Sequence, residues 1–110
     1  MSTTFHLLPA DHSLVPTKPY TPPSLEMEGF IHCTDGLERV IETGNRHLQF
    51  DPRDFDVIEI DLQMVASPWR YDDADRVYPH IYGPLNVAAV VGRRKVTRDD
   101  DGLFVAIESV

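Results

Sequence analysis

The chain has 110 residues, 42% of them hydrophobic, which fits one ordinary globular domain with a single core. A core of that size leaves no room for a large enclosed cofactor, so any such group must lie in a surface cleft. Ten Lys and Arg against 18 Asp and Glu give a net charge of −8; nucleic acid and anionic membrane, which would have to approach against this field, are excluded as general partners.

Thr3 to Leu8 is a short strand with Phe5 and Leu7 on one face and His6 and Leu8 on the other, ended by Pro9. From Pro9 to Glu28 the chain carries Pro9, Pro16, Pro19, Pro22 and Pro23, which obstruct both a helix and a central strand. An ordered arm is expected there. Gly29 to Cys33 follows as a strand with Phe30 and His32 on one face and Ile31 and Cys33 on the other. Asp35 and Glu38 resemble a capping box, and Leu37, Val40, Ile41 and Leu48 then recur at helical spacing, a stripe suited to packing on a sheet. Gly44 lies on that stripe at a cost of up to ~1 kcal/mol relative to Ala, which suggests that something approaches it closely.

Asp56 to Met64 alternates as a half-buried strand, with Ile58, Ile60, Leu62 and Met64 on its apolar face. Val87 to Val91 and Leu103 to Ile107 are apolar runs of strand length, expected to pair as a core hairpin across a charged turn ending in Asp101-Gly102. About five strands and one clear helix define an α+β domain on an antiparallel or mixed sheet. The lone Cys33 can make neither an internal disulfide nor a multi-thiolate zinc site, and it reads as a buried structural thiol. With no signal-like segment in MSTTFHLLPADHS and no run near the ~20 apolar residues of a membrane span, a reducing, cytoplasmic setting is expected.

No phosphate loop, dinucleotide fingerprint, nucleophile elbow or Cys-x-x-Cys occurs. Two segments carry possible chemistry. In Gly29 to Thr34 (GFIHCT), His32 stands beside Phe30 and leads straight into a helix start, where backbone N–H groups and the Thr34 hydroxyl could meet a ligand. The competing reading makes His32 a core histidine satisfied by a backbone carbonyl. In Val77 to Leu85 (VYPHIYGPL), Pro79 and Pro84 forbid helix, and an extended chain projects Tyr78, His80 and Tyr82 to one side. Those rings could stack on a heterocycle and bond a sugar, or simply cap the sheet. Trp69 to Asp75 (WRYDDAD) reads as a solvated loop with Trp69 tucked in. Asp99 to Asp101 reads as a hairpin tip rather than a cation site.

The order Tyr20, Pro23-Ser24-Leu25, Glu28 to Thr34, then Pro79 to Leu85 resembles a small bacterial family catalogued as domain of unknown function 952. That resemblance implies a fold like that of the ADP-ribosyltransferases, a split antiparallel sheet around a cleft that in that superfamily holds NAD. It would give His32 contact with the adenosine ribose and nicotinamide amide, with Thr34 beside it, and Tyr82 or Tyr78 packing on the nicotinamide. The chain departs from the family pattern where a Trp-bearing helix and a Gly-x-Tyr usually follow the first strand. A glutamate common ahead of the second motif is also replaced by Arg70-Tyr71-Asp72-Asp73.

The expectation drawn from both lines is a cleft lined by Tyr20, His32, Thr34, Tyr78, His80 and Tyr82 that binds a nucleotide-like small molecule such as NAD. His32 with Asp72 or Asp73 would then serve transfer or hydrolysis at the nicotinamide–ribosyl bond. Two other readings compete: a metal-dependent hydrolase using His32 and His80, and a non-catalytic regulatory or interaction module.

Overall fold

The computed structural model describes residues 2–109. The chain runs β1 (Thr3–Pro9), α1 (Pro23–Glu28), β2 (Ile31–His32), α2 (Leu37–His47), β3 (Phe55–Asp61), β4 (Trp69–Tyr71), β5 (Pro79–Ile81), β6 (Val90–Arg98) and β7 (Phe104–Ile107). Two antiparallel sheets result, one of four strands in the order β1-β3-β6-β7 and one of three in the order β2-β5-β4. This is a small α+β domain with one main helix.

Strand β3 organises the core. Its register with β1 pairs Thr4 with Ile60 and His6 with Ile58, so these residues and Leu8 share one face. Against that face pack Ile31, Cys33, Ile81 and Leu85 from the region of the smaller sheet, all buried. The opposite face carries Phe55 and Val57, also buried, with Phe104 beside Phe55 and α2 covering them through Val40 and Gly44. The alternating pattern suggests a strand wet on one side; β3 is instead buried on both, because two separate layers cover its two faces. Each fully buried Ile or Val there is worth roughly 1.5–3 kcal/mol of apolar burial. The alternation also stops early: Leu62–Met64 forms a 3-10 turn, started by Asp61 accepting from the Gln63 amide, and it leaves Met64 exposed.

Several other boundaries shift for physical reasons. The proline-rich arm does hold a helix, α1, because Pro22 and Pro23 stand at its N-cap and first position, where a missing N–H costs nothing. Gly29, in the left-handed region at φ 88°, closes it. Helix α2 lacks the expected capping box. Extended pairing carries the chain to Asp35, whose carboxylate accepts from the Tyr71 hydroxyl at 2.6 Å, and the helix begins only after Gly36.

Val87–Ala89 is a 3-10 turn, and the strand starts at Val90 and runs through the charged stretch to Arg98. The β6–β7 hairpin therefore exists, but β7 is an edge strand with only Phe104 buried. Trp69–Tyr71, expected as loop, is the edge strand β4. No helix among the described residues is long and apolar enough to cross a membrane.

Candidate functional site

The site grows from one pairing: His32 of β2 stands directly across from His80 of β5. Cross-strand neighbours project to the same face, so two segments 48 positions apart bring their imidazoles together, with ring centroids 5.5 Å apart. Phe30 completes the group, stacked on His80 at 4.0 Å and an interplanar angle of 17°, and edge-on to His32 at 4.8 Å. Tyr82 lies 5.6 Å from Phe30.

A carboxylate backs each histidine. Asp72 accepts from His80 Nδ1 at 2.9 Å through Oδ2, from Tyr82 Oη at the same oxygen, and from Arg70 Nε at 2.7 Å through Oδ1. The Arg70 guanidinium also covers the Tyr82 ring, 4.5 Å from its centroid. The Tyr82 hydroxyl and the Arg70 guanidinium hold the Asp72 carboxyl down to about 2, so it is ionised at neutral pH. Asp72 raises the Tyr82 hydroxyl in return. His32 Nε2 meets Glu28 Oε2 at 2.8 Å, across the short link between α1 and β2.

Asp73 does different work. Its two oxygens accept the Val77 and Tyr78 amides at 2.9 and 3.1 Å, which pulls its carboxyl down and fixes the turn that feeds β5.

A cleft of about 1060 Å³ adjoins this cluster, and Tyr20, His32, Thr34, Asp72, Asp73, Tyr78 and His80 all line it. Of the residues expected in the site, Tyr82 alone is outside the lining, on the ring cluster beside it. The helix-start idea for GFIHCT needs correction: the Cys33 and Thr34 amides donate to Pro79 O and Phe5 O, so the sheets consume them. Thr43 on α2 also lines the cleft, and its buried hydroxyl has no hydrogen-bond partner among the described residues.

The sequence pattern did not single out His6, nor Glu28, Arg70 and Thr43 as parts of the site. The His6 ring is buried, with Nδ1 donating to the His32 carbonyl at 2.6 Å and Nε2 accepting from the Tyr20 hydroxyl at 2.7 Å. A carbonyl accepts only, which fixes this tautomer. Burial pushes the imidazole down to about 4 and raises the Tyr20 hydroxyl above its ordinary range. The reading of a core histidine satisfied by a backbone carbonyl thus describes His6, whereas the His32 side chain is half exposed. The available signal was that His6 shares its strand face with Leu8. Cys33 is buried and its thiol is raised by that burial, as a structural cysteine requires. Among the described residues no three His, Cys, Asp or Glu side chains gather as a metal site needs.

The described residues thus form a small two-sheet α+β protein whose paired strands present carboxylate-backed histidines to one cleft. The chain belongs to the family described as protein of unknown function, DUF952, whose model matches residues 8–93. Among solved structures it is similar to protein CC0527 from Caulobacter crescentus, with a TM-score of 0.74 at 17% identity over 94% of each chain. It is likewise similar to a double mutant of that protein, with a TM-score of 0.72 at 18% identity and the same coverage. At such identities the likeness shows the fold. No curated protein matches the chain.

Proposed function

We propose that the cleft binds a nucleotide-like small molecule, with NAD as the first candidate, and acts on its nicotinamide–ribosyl bond by hydrolysis or transfer. The observation that carries this reading is the convergence of Tyr20, His32, Thr34, Tyr78 and His80, from separate segments, on one cavity of about 1060 Å³. That volume is just above the roughly 300–1,000 Å³ usual for small-molecule sites. The aromatic rings suit a heterocycle. Glu28, Asp72 and Asp73 line the same cavity and give that end a negative field, which favours positive charge developing on a ribosyl carbon. NAD in particular is suggested by the fold that the family resemblance implies, one like that of the ADP-ribosyltransferases.

Titration of the 15N-labelled protein with NAD and with ADP-ribose tests the proposal. Saturable shifts confined to residues around His32, Thr34, Tyr78 and His80 are expected. Their absence at millimolar ligand overturns it.

A further inference from the structure

Of the histidines that line the cleft, His32 and His80 are paired with carboxylates among the described residues, and the two partners are not equivalent. The Glu28–His32 pair is half exposed on both sides, 51% and 53%, and no other side-chain bond holds the Glu28 carboxylate among the described residues. The Asp72–His80 pair is more sheltered, 31% and 19%, and three donors from Arg70, His80 and Tyr82 fix the carboxylate. Phe30, stacked on the imidazole, restrains the ring plane. An ionised carboxylate only accepts, so His80 Nδ1 must carry the proton that bonds Asp72. The lone pair of a neutral His80 is then on Nε2, which makes no hydrogen bond among the described residues, and the ring lines the cavity. A base, an orienting carboxylate and a ring clamp are all present.

We propose that His80 is a general base that takes a proton from an acceptor water or hydroxyl in the cleft, with Asp72 as its positioning residue. This deepens the preceding reading and gives Asp72 a role there: an oxygen pair engaged by three donors orients an imidazole rather than contacting the sugar. For NAD and water, His80 Nε2 takes the proton as the water oxygen bonds to the ribosyl carbon. The carbon–nitrogen bond breaks with its electron pair going to the ring nitrogen, which releases neutral nicotinamide and ADP-ribose. The imidazolium then gives its proton to solvent.

A substrate-independent probe separates this proposal from the NAD reading. With 5-nitrobenzisoxazole a base removes the carbon-bound proton, and the nitrogen–oxygen bond opens to a coloured cyanophenolate, so only a base and an accessible cleft are required. The wild-type protein should accelerate this opening over buffer, and His80→Gln should lose roughly 10²-fold of the added rate. Long-range 1H–15N spectra at about pH 8.5, where imidazoles are neutral, should show His80 as the Nδ1–H tautomer, and Asp72→Asn should shift it toward Nε2–H while the fold is retained. An Nε2–H tautomer in the wild type, no acceleration, or an unchanged rate in His80→Gln overturns the proposal. A working base in a protein that leaves NAD unbound overturns only the NAD reading.

Discussion

His6 is neutral in the fold because burial holds its imidazole at about 4, against about 6.5 in the unfolded chain. Between those values the unfolded chain binds more protons, so stability rises with pH through this window and is lost as pH falls from about 6.5 toward 4. The loss between about pH 7.5 and 4.5 from this one group is roughly 2–3 kcal/mol. His6→Gln keeps a donor and an acceptor without the titration, and urea unfolding of both proteins at those two pH values should show a much smaller decline in the variant. Equal declines would assign the pH dependence to other groups. The Asp72 carboxyl, lowered from its ordinary value to about 2, gives up its contribution mainly as pH falls from about 4 toward 2, below the two pH values compared. His6 was hidden because strand alternation tells which face a residue occupies and says nothing of its partners. Its partners, Tyr20 and the His32 carbonyl, come from two other segments.

Elements were legible where a pattern had one meaning. The stripe of α2 places Val40 and Gly44 against the sheet, and the suggested close approach at Gly44 is real: an added Cβ would lie 2.6 Å from Phe104 Cε2 and 2.8 Å from Cγ. Gly44→Ala therefore sets up to ~1 kcal/mol of helix propensity against an overpacked aromatic contact costing about 1–3 kcal/mol. A net loss of about 1 kcal/mol in urea unfolding is expected, and the substitution should cost less in a Phe104→Leu background, where the ring edge is gone. A stabilising Gly44→Ala would mean that Phe104 moves aside freely. Boundaries were illegible where charges alternate along a paired strand. Arg93, Arg94 and Lys95 look like a turn, yet they lie in β6 because Arg93 and Arg94 each find a carboxylate across the ladder, Asp56 and Glu59.

At the scale of the molecule, the cleft depends on how the arm between β1 and α1 is fastened, since Tyr20 and Pro22 of that arm form part of its wall. The two sequence motifs announced the site because β2 and β5 pair directly; the arm's fastening was invisible, since it relies on a residue more than eighty positions away. Arg93 donates through Nε to Asp56 at 2.8 Å and through Nη2 to the carbonyls of His12 at 2.8 Å and Ala10 at 3.3 Å. Further along, Tyr20 and Leu85 exchange backbone hydrogen bonds of 2.8 and 2.9 Å. Arg93→Met keeps much of the stem packing but strips Asp56 of its partner and frees both carbonyls, a loss of roughly 1–3 kcal/mol. Arg93→Lys keeps one charge without the planar fork, so it can serve Asp56 or the arm but not both, and should fall between. Amide hydrogen exchange should locate the effect: in the Met variant the Tyr20 and Leu85 amides should exchange faster than the general loss of stability requires, while Ile58 and Ile60 in the centre of β3 follow global unfolding alone. Unchanged protection at Tyr20 would show that its two backbone bonds and the His6 contact hold the arm without the guanidinium, and would remove Arg93 from the account of how the cleft wall is kept in place.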